Sequence, residues 1–283
     1  KRSQRSSHLR WLAQVMMQPQ SLARLVWDLL CTLFTLYDAV FTPLHTFELP
    51  PSAVTCTLSW LMAAFWTLDI GASFLTGFES GGIIELRPSA VANRFLRTWF
   101  VLDIFVVLVD WTTAECQMNT IFSAAATTRA VLCTIRISVR LLRTMRFFGG
   151  VMDRISSELV YAILRTVQLL GSIVLLSHFM ACAWYFIGNV YGKDFPNSWV
   201  ADLEGHRSQV PSLAFRYTTA MHWSLSQFTL SSSDVAPQNA LETTFASVML
   251  VLAVVMFSLL LGTMVTATTR LRQLAEQTST QRR

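Results

Sequence analysis

The stretch RAVLCTIRISVRLLRTMRFF, residues 129–148, sets Arg136, Arg140, Arg143 and Arg146 at every third or fourth position of an otherwise apolar run, with Arg129 about two turns earlier. That period winds the guanidinium groups along one face of a helix. In hydrocarbon each is costly unless it meets water or an acid. Acids are at hand in the preceding apolar stretches: Asp28 and Asp38, then Asp69, then Asp103 and Asp110. A helix of positive charges facing fixed carboxylates is the arrangement of a voltage sensor, because one charge crossing the field is worth ~2.3 kcal/mol per 100 mV. A basic helix lying on the membrane surface is the competing reading, and it leaves the five neighbouring acids unexplained. Arg129 can equally be an outer flank.

The 283 residues are 53% hydrophobic and only 14% charged, a balance that excludes an ordinary soluble domain and points to several membrane spans. Apolar stretches at about 25–42, 53–77, 98–112, 129–148, 159–187 and 243–268 predict six of them. Gly149-Gly150 is expected to end the fourth, and the 78–97 connection, with Gly81-Gly82 and Pro88, breaks the helical pattern. Basic residues gather at the N-terminal flank, in 78–97, around 146–165 and beyond Thr268, whereas the connections 43–52 and 112–128 hold no Lys or Arg. By the positive-inside rule both termini are cytoplasmic. The plasma membrane is the expected location, since a sensor needs a potential to read. The chain has no initiator Met and is expected to belong to a longer protein.

The other informative stretch is PSLAFRYTTAMHWSLSQFTLSSSDVAPQNALE, residues 211–242, aromatic-rich but too polar to cross a bilayer. Irregular polar backbone survives at membrane depth only inside protein or beside a watery cavity. With six spans this hairpin opens to the outside, as an ion filter does. Hydroxyls of Thr229, Ser231, Ser232 and Ser233 would line it, and the carboxylate of Asp234 near its outer mouth would favour cations. Asp234 can instead cap or brace a helix, and Glu242 is read as bracing the top of the last span. Gly262 is either a hinge or a helix contact. Val265 and Thr266 mark an inward gate.

Taken together, the strings RLVWDLLCTLFTLYDAVFTPLHTF, TLDIGASFLTGF, RFLRTWFVLDIFVV, RLLRTMRFF and HFMACAWYFIGN, with the hairpin, resemble six-span voltage-gated cation channels. The resemblance is to the ether-à-go-go, hyperpolarisation-activated and cyclic-nucleotide-gated branch. It implies an all-α membrane protein: a four-helix voltage-sensor domain (25–148), a linker (149–158), and a two-helix pore domain with a re-entrant pore helix (159–270). Residues 1–24 would be a cytoplasmic flank and 271–283 the start of a cytoplasmic linker. It further implies a homotetramer, or a heterotetramer with related subunits, set in membrane lipid, with no nucleic-acid partner. It implies no cofactor in this chain beyond permeant monovalent cations, any cyclic nucleotide binding to a domain outside it. Trp66 would be the aromatic of the charge-transfer site, and Ala63 stands where relatives carry a second acid. The filter departs from the potassium pattern Thr-Val-Gly-Tyr-Gly-Asp: the matching positions are Thr229, Leu230, Ser231, Ser232, Ser233 and Asp234, without either glycine.

Three readings follow. The first is a voltage-gated cation channel subunit of open potassium-versus-sodium selectivity. The second is a non-conducting regulatory subunit, and the third a sensor module for an attached domain. Cys31, Cys56, Cys116, Cys133 and Cys182 show no CxxC or metal spacing. His178 and His222 lie near serines without a GxSxG elbow, so no enzyme is expected. Trp184, Tyr185, Trp199 and Trp223 are read as interfacial or pore-helix packing aromatics.

Overall fold

A computed structural model describes residues 16–47, 49, 52–80, 83–116, 126–153, 155–190, 197–205, 211–229 and 231–281. Two compact units emerge: Lys1–Asp38 with Pro50–Gly149, and Ala39–Leu49 with Gly150–Arg283. The chain is an all-α membrane protein, with one two-stranded hairpin among the described residues.

The first unit holds most of helix α1 (Leu22–Leu44), then α2 (Ala53–Phe74), the hairpin β1 (Phe78–Ser80) and β2 (Ile83–Glu85), α3 (Pro88–Thr98), α4 (Phe100–Cys116) and most of α5 (Ala126–Met152). Helix α2 starts from a reciprocal cap in which Ser52 Oγ accepts from Thr55 N at 3.2 Å and Thr55 Oγ1 accepts from Ser52 N at 3.1 Å. Its apolar face packs Met62 and Trp66 against Cys31 of α1. Within the 78–97 connection β1 and β2 pair antiparallel, and Pro88 opens α3 in its first turn, where its missing N–H forfeits no helical bond. Gly77 makes the approach to the hairpin possible, because a Cβ there would lie 2.6 Å from Leu86 Cδ2 and 2.9 Å from the Glu85 carbonyl.

The second unit comprises α6 (Glu158–Val190), α7 (Trp199–Gly205), α8 (Leu213–Phe228) and α9 (Ala240–Gln281), with the end of α1 and a 3-10 turn at His45–Phe47. Its core is a parallel aromatic stack. Trp184 lies 5.5 Å from Trp199 and 4.0 Å from Trp223, with rings 4° and 6° from parallel, and Phe245 of α9 extends the stack.

Among the described residues, four helical stretches are long and apolar enough to cross a membrane by length and composition: Leu22–Phe47, Ala53–Phe74, Glu158–Asn189 and Ala240–Arg270. The two other expected spans differ for physical reasons. Helix α4 has 17 residues, about 26 Å against a ~30 Å hydrocarbon core, and α5 carries the arginines. One expected helix end moves. Gly149-Gly150 does not end the fourth span, because α5 runs on to Met152; glycine inside a helix costs only about 1 kcal/mol and does not break it. Residues 39–49 fall in the second unit. Helix α9 passes through 271 to Gln281 without a break.

Two measurements check this packing. A Cβ on Gly188 would meet Trp199 Nε1 at 2.4 Å and Val200 Cγ2 at 2.7 Å, whereas one on Gly171 meets nothing within 4 Å. Gly188→Ala is therefore expected to cost about 1–3 kcal/mol and to lower the thermal midpoint of the purified protein in detergent, with Gly171→Ala leaving it unchanged or higher. In the hairpin connection, Arg87 hydrogen-bonds both Glu85 carboxylate oxygens at 2.8 Å and holds that acid down to about 2. A depressed folded value means the pair contributes above the ordinary carboxyl range and is lost as pH falls through about 2. Amide exchange at the hydrogen-bonded positions of β1 and β2 is expected to stay slow at pH 3, and to quicken there in Arg87→Gln.

Candidate functional site

Three ladder arginines of α5, Arg136, Arg140 and Arg143, lie at i, i+4 and i+7 and face the interior of the first unit. Arg140 is 4% exposed and pairs with both Asp38 of α1 and Asp110 of α4. Arg136 donates to Asp110 Oδ1 at 2.7 Å and stands 3.6 Å from Asp38 Oδ1. Two buried cations thus share two buried carboxylates in a closed square. The Arg140 guanidinium also lies 4.0 Å from the centre of the Trp66 ring, where the ring quadrupole attracts it.

One turn further, Arg143 pairs with Asp69, donates to Ser73 Oγ at 3.0 Å, and stands 3.9 Å from Asp103. Asp69 is 2% exposed and takes two further donors from α1: Trp27 Nε1 at 2.8 Å and the Cys31 thiol at 3.6 Å. The spacing Trp66, Asp69, Ser73, Thr76 puts all four along one side of α2 and its exit turn. A cavity of about 290 Å³ opens beside them, lined by Arg24, Asp28, Asp69, Asp103, Arg140 and Arg143 among others.

Of the acids read as ladder partners, Asp38, Asp69, Asp103 and Asp110 meet ladder arginines. Asp28 is instead gripped by Arg24 of its own helix, at 2.6 and 3.1 Å. An i, i+4 pair needs no tertiary arrangement to form, and that spacing is visible in the sequence. The side chains of Arg129 and Arg146 lie outside the described residues.

In the second unit, α8 is capped by Ser212, whose Oγ accepts from Phe215 N at 3.3 Å, and it ends at Thr229, where the backbone turns extended. Ser224 of α8 donates to the Ser177 carbonyl of α6 at 2.8 Å. Both ring nitrogens of His178 are engaged, with the Tyr217 hydroxyl and the Val40 carbonyl, each at 3.0 Å. Because a carbonyl only accepts, Nε2 carries the proton and Nδ1 accepts from the tyrosine. Of the expected filter residues, Thr229, Ser231, Ser232 and Asp234 are exposed in the single chain, Ser233 is half-buried, and Leu230 lies outside the described residues. The Ser233 hydroxyl accepts from Val235 N at 3.3 Å. Asp234 has no hydrogen-bond partner among the described residues and lines a cavity of about 350 Å³ with Trp199, Asp202 and His222. Glu242 is fully buried and braces the start of α9, accepting from Gln238 N at 2.8 Å and Trp199 N at 3.3 Å. Gly262, Val265 and Thr266 sit on an unbroken stretch of α9, where Thr266 Oγ1 donates to the Gly262 carbonyl at 2.8 Å.

Removing one partner of a buried pair leaves the other charge stranded. Asp110→Ala, which leaves Arg136 and Arg140 to share the single carboxylate of Asp38, is expected to cost about 3–5 kcal/mol. Thermal unfolding of the purified variant checks this, and an unchanged midpoint would reject the square as a stabilising unit.

Sequence comparison relates the chain to known proteins. The "Potassium voltage-gated channel protein eag" of Drosophila melanogaster is 22% identical over 259 residues, covering 84% of this chain and 21% of the relative. "Potassium channel AKT2/3" of Arabidopsis thaliana is 23% identical over 250 residues, covering 84% and 29%. "Potassium voltage-gated channel unc-103" of Caenorhabditis elegans is 24% identical over 265 residues, covering 84% and 31%. The chain therefore spans less than a third of the length of these relatives. The ion transport protein family matches residues 24–276, nearly the whole chain. These matches mark an integral membrane protein: the chain belongs to the ion transport protein family.

Proposed function

We propose that this chain is the membrane core of a voltage-gated cation channel subunit of the ether-à-go-go-like branch. The observation that carries the reading is the burial of Arg136, Arg140 and Arg143 against Asp38, Asp110, Asp69 and Asp103. Ion pairs that exchange partners one helical turn at a time let a charged helix move without passing through an unpaired state. The relatives named as voltage-gated potassium channels support the same reading.

In this reading residues 25–148 sense voltage, 149–158 pass the movement on, and 159–270 form the pore with three further subunits, identical or related. Both termini face the cytoplasm, and the protein works in the plasma membrane. Monovalent cations cross at Thr229, Leu230, Ser231, Ser232, Ser233 and Asp234. A stacked-carbonyl potassium filter relies on glycines for its backbone angles, and serines stand at both positions. Hydroxyl and carboxylate oxygens then do the coordinating, in a wider opening that passes sodium as well as potassium. The gate lies along α9 near Gly262, Val265 and Thr266. A second reading is favoured by the same missing glycines: a regulatory subunit that assembles with conducting relatives and passes no current itself.

Expression of the full-length protein alone, with currents recorded in sodium and then potassium under voltage steps of both signs, separates the two. The expected result is a voltage-dependent current whose reversal potential lies between the sodium and potassium values. Neutralising Arg140 and Arg143 together is expected to flatten its voltage dependence. Tetramers at the cell surface without current would favour the regulatory subunit, and reversal at the potassium potential would reject the serine filter as a less selective one.

A further inference from the structure

Arg24 is not part of the ladder, yet it lies in the same cavity. It is 8% exposed at the start of α1 and is held at three points. Its Nε and one terminal nitrogen grip the two oxygens of Asp28 at 3.1 and 2.6 Å, and the other nitrogen donates to Thr76 Oγ1 at 3.0 Å. Thr76 is itself tied down: its hydroxyl donates to the Ala72 carbonyl at 2.7 Å. The backbone around it is bridged by residue 17, with Met17 N donating to the Leu75 carbonyl at 2.8 Å and Gly77 N to the Met17 carbonyl at 2.9 Å. The guanidinium of Arg24 is therefore a fixed charge, anchored on two segments of the unit.

Its place along α2 gives it a task. Asp69 and Ser73 hold Arg143, and Thr76, one turn past Ser73, holds Arg24. A ladder step of one turn in that direction carries Arg143 from Asp69 toward the site that Arg24 already fills. Asp28, the acid that would receive it there, is already neutralised by a two-point contact. We propose that Arg24 is a positioning residue for the sensor: a stationary cation that withholds Asp28 from the ladder and opposes its inward step. This rests on the reading of Arg136, Arg140 and Arg143 as moving charges.

The sign follows without knowing how the pore is coupled. Arg24→Gln removes the opposing charge and frees Asp28 as a landing site, so the inward state gains. A tenfold gain is expected. With about three charges moving, that corresponds to a shift of roughly 20 mV in the midpoint of charge movement, toward positive potentials. The experiment is gating-charge recording, or fluorometry from a dye on the outer end of α5, in the full-length protein. Arg24→Lys, which keeps the charge, is expected to stay near wild type. In an Asp28→Asn background the Arg24→Gln shift is expected to shrink, since no acid is left to release. An unmoved or negatively shifted midpoint in Arg24→Gln overturns the proposal, as does an equal shift in Arg24→Lys or an undiminished shift in the Asp28→Asn background. Arg140→Gln with Arg143→Gln is the parallel control. If that pair leaves charge movement unaltered, the sensor reading falls and the Arg24 role with it. Ladder-dependent movement with Arg24→Gln unmoved overturns the Arg24 role alone.

Discussion

A guanidinium inside hydrocarbon must have a counter-charge within reach, and Arg140 shows how much structure that requirement organises. Its carboxylates come from Asp38 on α1 and Asp110 on α4, and its aromatic partner is Trp66 on α2. One side chain thus requires all four long helices of its unit to converge. The planar fork of arginine suits the task because it addresses two acids at once and keeps its charge at any relevant pH. The apolar contacts of Cys31, Met62 and Trp66 then fill the space around a polar centre whose position the charges dictate.

Much of this was legible in the sequence because intramembrane charge is so costly. Five acids and a periodic row of arginines in apolar runs have few stable explanations, and four of those acids meet the row. What could not be read was the register, meaning how far α5 stands along its axis relative to the acids. Register depends on tertiary packing, so Asp28 looked equivalent to Asp38 until Arg24 was found holding it. The cue was present as an i, i+4 Arg–Asp pair, but a ladder suggests itself before a local pair does. Gly149-Gly150 misled for the opposite reason: local propensity argued for a stop, and a 27-residue helix carried its hydrogen bonds through.

In the second unit the legible part was the break in helicity after Phe228, foreshadowed by the hydroxyl run. The support behind it was not. Trp184, Trp199 and Trp223 read only as packing aromatics, yet they form a single stack with Phe245. Gly188 admits Trp199 to it, and the buried Glu242 carboxylate joins the backbone of Trp199 to the first turn of α9. Aromatic geometry of this kind depends on residues 15 to 61 positions apart, and no local pattern reports it.

The unbroken length of α9 has a mechanical consequence. Its 42 residues make a rod of about 63 Å, roughly twice the thickness of the hydrocarbon layer. The rod is clamped at one end, where Glu242 and Asn239 bind the backbone around it. A lever fixed at its top magnifies rotation in proportion to its length, so about one degree of tilt displaces the far end by about 1 Å. Displacement is smallest beside the hydroxyl run and largest at the opposite end. The same helix can therefore hold the backbone beside the hydroxyl run nearly still while its distant end sweeps through the distance of an atomic contact.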